Sequence, residues 1–270
     1  MTNEKMSLPE APEWLKGIDK GFLADLPDRI AAHIVLDEFD FDAQLAAIHS
    51  LLRRQSGVDE EYAAEIKKLE ESAKALSGIA NDWAVDELVD RYHSSVYQDA
   101  AHSMAAVGMI APFVESMFHQ IFQGIRLHLS KGGSPPNEHG RWEQPAEDQW
   151  DCDYVWKGGR RSKHLADGIL QLAEAVGLIS YLPVSLEQTL PALFGYRNKM
   201  FHCGFEWPVV ERERFRQHRI KEKWPVDWFS DAKRNSEPWI CYMAQPFIDH
   251  CLDIIQKSID GIGAFCKKEL

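Results

Sequence analysis

Cysteine is scarce in this sequence. The 270 residues contain five cysteines, an odd number without close pairs. A small domain held together by disulfides would carry paired cysteines at short spacings. The pattern therefore favours reduced thiols in a cytoplasmic protein over a disulfide framework. The five are Cys152, Cys203, Cys241, Cys251 and Cys266.

A long uninterrupted hydrophobic run is also missing. The most apolar stretch, from Met104 to Val114, is too short to cross a bilayer and contains Pro112. The N-terminal residues are polar and acidic, without the apolar segment of a secretory signal. We therefore expect a cytoplasmic protein that does not enter a membrane.

Basic residues are outnumbered, and the imbalance is uneven. The net charge is −12, which argues against a protein that coats nucleic acid without specificity. Residues 1–90 hold 20 Asp/Glu and 9 Lys/Arg, whereas residues 91–270 hold 22 and 21. A local site for RNA is therefore expected only in the later part of the chain.

Helical spacing of apolar residues dominates, and no strand pattern or internal repeat stands out, so we predict an all-α protein. Its acidic N-terminal helical region should cover residues 1–80. A helical domain over 81–270 should carry a long loop at about 131–162 and an irregular stretch at 206–239. Pro112 should kink or split the longest helix. The predicted helices cover residues 41–54, 59–77, about 82–129, 162–178, 185–203 and about 241–267.

The most informative string is Arg197-Asn198-Lys199-Met200-Phe201-His202, at the end of a predicted helix. Arginine can clamp a phosphate, and histidine can carry a proton near neutral pH. Asn198 and His202 are four residues apart, so Asn198 should hydrogen-bond the imidazole and orient it. Ser185, with Gln188 in a capping box, should begin this helix, and Gly204 should end it.

One helix end of this kind supplies one histidine and one arginine. Attack of a ribose 2′-hydroxyl on a phosphodiester is served best by a base and an acid on opposite sides of the phosphorus. Two copies related by a two-fold axis would provide both, so we predict a homodimer. The structural alternative is that His202 interacts with the helix C-terminus and Arg197 forms a surface ion pair.

A basic run follows the motif, beginning with Arg212, Arg214 and Arg216 and continuing through Arg219, Lys221 and Lys223, with Trp207 on its N-terminal side. Cations interleaved with aromatic rings suit single-stranded RNA through phosphate contacts and base stacking. We predict that these four residues bind substrate. The alternative is a solvated loop, or a patch that pairs with the acidic N-terminal region.

No metal or cofactor is expected. Cys241, His250 and Cys251 lack the spacing of a zinc site, so core or surface roles are favoured. Glu115 lies on the apolar long helix, where it could orient a catalytic residue or bind a buried arginine. The second role is favoured.

The Arg-Asn-x-x-x-His string resembles the signature of the HEPN superfamily (higher eukaryotes and prokaryotes nucleotide-binding). The order of predicted helices over residues 82–270 is similar to that family's up-and-down helical bundle, whereas residues 1–80 lie outside the resemblance. One position departs from a subgroup that carries a modified tyrosine two residues after the histidine, because this chain has Gly204 there.

The resemblance implies a dimeric, metal-independent endoribonuclease with Arg197 and His202 as the catalytic pair and Asn198 as the polar residue after the arginine. It also implies a toxin or effector in a toxin–antitoxin or antiviral defence system, acting on RNA and controlled by a partner protein such as an antitoxin. The competing interpretation is a non-catalytic helical module that binds RNA, nucleotides or another protein.

Overall fold

The structure is a computed structural model that describes residues 24–130 and 137–270. Part of the predicted N-terminal region and the first residues of the predicted loop lie outside these ranges. Most of the described chain is helical, which confirms the predicted predominance of helices. The α-helices are α1 (Asp28–Ala31), α2 (Phe41–Ala75), α3 (Ile79–Leu129), α4 (Leu165–Ala175), α5 (Leu186–Cys203), α6 (Val209–Lys221) and α7 (Gln245–Glu269).

The break predicted near Gly57 is not observed, and neither is a split at Pro112, which was one of the two outcomes expected there. Helix α2 covers both predicted segments and runs through Gly57 without interruption. Asp40 begins it, because its carboxylate accepts a hydrogen bond from the Ala43 amide. Helix α3 likewise continues through Pro112 as one helix. Proline has no amide hydrogen, so one backbone hydrogen bond of the helix is lost at Pro112. The helix nevertheless extends without interruption over 51 residues.

Two antiparallel hairpins were missed by the sequence prediction. Strands β1 (Tyr154–Lys157) and β2 (Arg160–Lys163) are joined by two glycines with positive φ, Gly158 and Gly159. Strands β3 (Phe229–Arg234) and β4 (Glu237–Met243) form the second hairpin. Two adjacent glycines in a sequence are typical of a loop, which is why the first hairpin was missed. A two-residue hairpin turn requires positive φ at both positions, and glycine adopts it readily.

The prediction that residues 206–239 are irregular is wrong. Helix α6 occupies much of this stretch and is followed by β3. The helix escaped notice because Phe215 is its one buried residue, so it has no apolar stripe. Its other positions are mainly charged.

The contacts within the chain divide it into two compact units. Among the described residues, unit 1 consists of 24–39, 116–130, 137–184 and 256–270, and unit 2 of 40–115 and 185–255. The predicted boundary at residue 80 therefore falls inside unit 2, at the start of α3.

Unit 1 encloses a fully buried arginine within the segment predicted as a loop. The Arg141 guanidinium donates hydrogen bonds to the carbonyl oxygens of Gln149, Asp151 and Tyr154, and to Oε1 of Gln171. Burial lowers the pKa of this guanidinium. These bonds tie residues 141–154 to α4, so the segment is organised around one side chain despite its lack of helical periodicity.

Unit 2 is built around an aromatic cluster that joins α5, α6 and β3. Tyr196, Phe215 and Phe229 lie with ring centroids 5.2–6.1 Å apart. Two of the pairs are tilted and one is edge-on, and rings at these distances pack tightly and restrict one another. The cluster fixes α5, the helix that carries the Arg-Asn string, against the second hairpin.

One helix of the described chain, α3, is long and apolar enough by length and composition to cross a bilayer. About half of its apolar segment, 56%, is buried inside the protein. The buried core helix of a protein that never meets a bilayer has the same length and composition, so α3 is only weak evidence for a membrane span. The cytoplasmic location stays a prediction.

Candidate functional site

The helix that carries the Arg-Asn string ends where the sequence predicts. Gly204 follows Cys203 with φ +69°, and its amide donates to the Met200 carbonyl at 3.0 Å. The predicted capping box at the other end is not formed. The Ser185 side chain makes no capping hydrogen bond, and its backbone carbonyl instead accepts from the amides of Gln188 and Thr189.

Tyr196 anchors the last turns of this helix to β4. Its hydroxyl accepts a hydrogen bond from the Met243 amide at 3.3 Å and lies 3.4 Å from the Cys241 carbonyl. The ring is fully buried, and burial raises the pKa of the phenol above its ordinary range. Met200, one turn later, is also fully buried. These two residues hold the inner face of the helix.

Arg197 is paired with an acidic residue of α3. Its Nη1 lies 3.1 Å from Oε2 of Glu115, and the two side chains are 27% and 33% exposed. Its Nε is buried without a hydrogen-bond partner among the described residues, and its guanidinium lies 5.4 Å from the centre of the Phe194 ring. Glu115 thus binds a partly buried arginine, as favoured, and this arginine is the one in the Arg-Asn string.

His202 and Asn198 are both exposed on the same helix. Within the described part of the chain, neither side chain makes a hydrogen bond, so the predicted bond between them is not formed. Water competes for both groups at an exposed surface, which removes most of the gain from such a bond. Phe201, beside His202, is 56% exposed, and its ring lies next to Gly108 of α3.

The predicted RNA-binding residues divide into two classes. The Arg212 guanidinium donates to the carbonyl oxygens of Pro238 and Trp239, which fixes α6 to β4. Arg214 and Arg216 are exposed, and each is paired with a glutamate three residues earlier on the helix. Exposed pairs of this kind are weak, so both side chains can be recruited by another anion.

Trp207 does not fit its predicted role. It is 2% exposed, its indole nitrogen donates to the Gly204 carbonyl at 2.8 Å, and its ring packs edge-on against Phe215. A buried ring offers no face for a base to stack on. Trp207 therefore belongs to the core of unit 2 and stabilises the turn that follows the Arg-Asn string.

A cleft of about 460 Å³ lies between α6 and the second hairpin. Arg212 and Arg216 line it, together with the acidic residues Glu213, Asp231 and Glu237. The carboxylates offset the two cations. The lining therefore lacks the positive excess that would select a phosphate group.

The cysteines and histidines near α7 have core roles, as the spacing favoured. Cys241 and Cys251 are buried, and burial raises the pKa of both thiols. Nε2 of His250 lies 2.9 Å from the Thr189 hydroxyl, and its ring lies tilted against Trp228 with the ring centroids 5.0 Å apart. All five cysteines are free thiols.

Unit 1 contains one constellation that the sequence did not reveal. The His119 ring lies 3.6 Å from the sulfur of Cys152, and its Nε2 lies 3.3 Å from Oδ1 of Asp153. The residues are too distant in sequence for spacing to link them. Burial raises the pKa of the Cys152 thiol to about 12, which keeps it protonated and unsuited to nucleophilic attack.

Comparisons with protein families, with curated proteins and with solved structures find no match to this chain.

Proposed function

We propose that this protein is a metal-independent endoribonuclease of HEPN type, with His202 and Arg197 as its catalytic pair. The observation that supports this most is that one stretch of helix carries both an exposed imidazole, which makes no hydrogen bond to any described residue, and a partly buried arginine held by Glu115. An imidazole bonded within the protein would be less available for proton transfer. A fully exposed arginine would be less well fixed.

In the proposed reaction, the ribose 2′-oxygen attacks phosphorus and the 5′-oxygen of the next nucleotide leaves. The products are a 2′,3′-cyclic phosphate and a 5′-hydroxyl, with no net gain or loss of protons. His202 removes the 2′-proton or supplies the proton that the leaving oxygen takes up. Arg197 stabilises the charge that develops on the phosphate oxygens. Its Nη1 is bound to Glu115, so Nη2 is the group that would meet the phosphate.

A homodimer completes the proposed site. One chain offers a single His202, whereas the reaction uses a base and an acid on opposite sides of the phosphorus. A two-fold axis close to the ends of two α5 helices would bring two histidines and two arginines together. An active enzyme that sediments strictly as a monomer would overturn this part of the proposal.

Trp207 and Arg212 are left out of the proposed substrate surface, because Trp207 is buried and the Arg212 guanidinium is bound to two backbone carbonyl oxygens. Arg214 and Arg216 remain candidates for phosphate contacts because they are exposed. Asn198 is also exposed and makes no side-chain hydrogen bond to a described residue, so we assign it to RNA contact rather than to orientation of His202. The setting in a toxin–antitoxin or antiviral defence system, with RNA as target and a partner protein as control, rests on the resemblance of the motif.

The experiment is RNA cleavage in excess EDTA, measured on tRNA, mRNA and ribosomal RNA. We compare the wild type with His202→Ala and Arg197→Ala, and use His93→Ala, another exposed histidine of unit 2, as the control. The proposal requires cleavage by the wild type and the control, and a loss of at least a hundredfold in both site variants. Cleavage that survives in His202→Ala would refute the assignment.

A non-catalytic binding module is the second candidate. It is favoured by the apolar side chains that α2 and α3 expose near their connecting turn, such as Trp83 at 76%. RNA that binds without being cut, under all conditions and with the proposed partner removed, would support this function over the enzyme.

A further inference from the structure

The hairpin formed by the end of α2 and the start of α3 is poorly buried for an element of its length. Within residues 61–97, which we call the helical arm, Ala73 is the one buried residue. Of the 15 large hydrophobic side chains that are exposed in the described chain, seven lie on this arm. They are Leu76, Ile79, Trp83, Val85, Val89, Tyr92 and Tyr97. Such a concentration in so short a segment is typical of an interaction surface.

Three of these side chains form a continuous stripe on α3. Val85, Val89 and Tyr92 are four and three residues apart, which places them on one face of a helix, and they are 41%, 48% and 44% exposed. The spacing is that of a coiled-coil seam. Helix α2, the other helix of the arm, packs on the face of α3 next to this stripe, as the contact of Arg91 with Glu65 shows. The stripe thus forms one flank of the groove between the two helices.

Charge on either side of the stripe is asymmetric. Asp82, Asp86 and Asp90 recur every four residues and lie within roughly 100° of the stripe around the helix. All three are exposed, and none forms an ion pair within the described chain. The other edge, where Tyr92 bonds Glu70 of α2, carries Lys67 and Lys74 at helical spacing from that glutamate. A helix that fits this groove needs apolar residues at its centre and positive charge on the edge that faces the aspartates.

We infer that the helical arm binds a basic amphipathic helix of a partner protein, which packs on Val85, Val89 and Tyr92 as the third helix of a bundle. A second copy of this chain is disfavoured, because two stripes paired in antiparallel fashion would bring two identical rows of aspartates together. The whole arm has eight Asp/Glu and four Lys/Arg, a net of −4, so two arms repel each other. The inference does not depend on the proposed ribonuclease activity.

The test uses three labelled peptides of equal length and the full-length protein. The basic peptide has leucine at coiled-coil positions and lysine along one edge; the acidic peptide has glutamate in place of those lysines; the scrambled peptide has the basic composition without the stripe. Affinity is measured by fluorescence anisotropy at physiological salt. We expect the basic peptide to bind at least tenfold more tightly than the other two.

Variants distinguish binding through the apolar stripe from binding through net charge alone. Val89→Asp should weaken binding of the basic peptide at least tenfold, whereas Ser94→Asp, which adds the same charge on another face of α3, should change it less than threefold. Asp86→Lys combined with Asp90→Lys should reverse the preference between the basic and acidic peptides. Because these positions are exposed, the variants should fold, which circular dichroism checks.

Three results would overturn the assignment. The first is equal affinity for the basic and scrambled peptides, which would indicate charge alone. The second is an unchanged preference in the aspartate double variant. The third is self-association of the wild type in sedimentation that Val89→Asp abolishes, which would make a second copy the occupant of the stripe.

Discussion

Nη1 of Arg197 lies 3.1 Å from Oε2 of Glu115, a residue 82 positions earlier in the sequence. The ion pair links α5 to α3 within unit 2 and fixes the direction of the arginine. Among the residues that the structure describes, the buried Nε has no hydrogen-bond partner, and Glu115 provides the one strong hydrogen-bonding contact of this guanidinium. The same ion pair therefore holds α5 against α3 and positions the arginine of the proposed site.

The first prediction concerns the free energy that couples these two residues. Both side chains are about two-thirds buried, so we expect a coupling of about 1 kcal/mol, at the upper end for partly exposed pairs. A double-mutant cycle with Glu115→Ala, Arg197→Ala and the double variant, followed by urea unfolding, measures it. Glu61→Ala, which removes an exposed acid of α2, should change the stability by less than about 0.5 kcal/mol. A coupling near zero would mean that the pair does not form in solution.

The second prediction concerns RNA affinity. Arg214→Glu with Arg216→Glu should weaken RNA binding about tenfold or more and flatten its dependence on salt, because two phosphate contacts are lost. The new glutamates would lie beside Glu211 and Glu213, and this cluster of negative charge would repel phosphate groups. RNA binding should therefore fall further than with alanine at the same two positions. Filter binding between 50 and about 200 mM salt measures both effects.

The control for this charge reversal is Lys67→Glu with Lys74→Glu, which makes the same change in net charge on α2. The control should retain most of the affinity if the contacts on α6 are local. Equal losses in the two double variants would indicate that only the net charge of the protein matters, and would remove α6 from the proposed RNA surface.

The sequence predicted the helices with strong apolar periodicity and missed the elements without it. Helix α4 was recognised because it buries one face. Helix α6 was not, because Phe215 alone is buried. The strands of both hairpins are short, and the exposure of β2 at every position leaves no alternation to detect.

The candidate site was predictable in its residues but not in its contacts. The motif identified Arg197 and His202 by spacing along one helix, whereas the pairing of Arg197 with Glu115 depends on how two helices pack. The bond expected between Asn198 and His202 is not formed, because four-residue spacing brings side chains near each other without excluding water. Trp207 was misplaced for a related reason, since burial of an aromatic ring is a property of the fold.

The third prediction concerns Arg141. Its substitution by lysine should destabilise the protein by about 3 kcal/mol or more, because one ammonium group cannot serve the acceptors that Nε, Nη1 and Nη2 now reach. Buried carbonyl groups would be left without donors. Arg160→Lys, at an exposed position of β2, should be nearly neutral. Urea unfolding followed by far-UV circular dichroism compares the two, and similar midpoints would show that the Arg141 bonds are dispensable.

The last prediction applies one chemical change, glycine to alanine, at two helical positions with opposite surroundings. A Cβ at Gly263 of α7 would overlap the backbone carbonyl of Asp28, which cannot rotate away as a side chain could. We expect Gly263→Ala to destabilise the protein by about 1–3 kcal/mol. A Cβ at Gly57 of α2 meets nothing within 4 Å, so Gly57→Ala should stabilise the helix by about 0.5–1 kcal/mol through its better helix propensity. Thermal unfolding of both variants measures the difference. A stabilising Gly263→Ala would contradict the close approach of α1 to α7, and a destabilising Gly57→Ala would contradict a continuous, solvent-exposed α2 at this point.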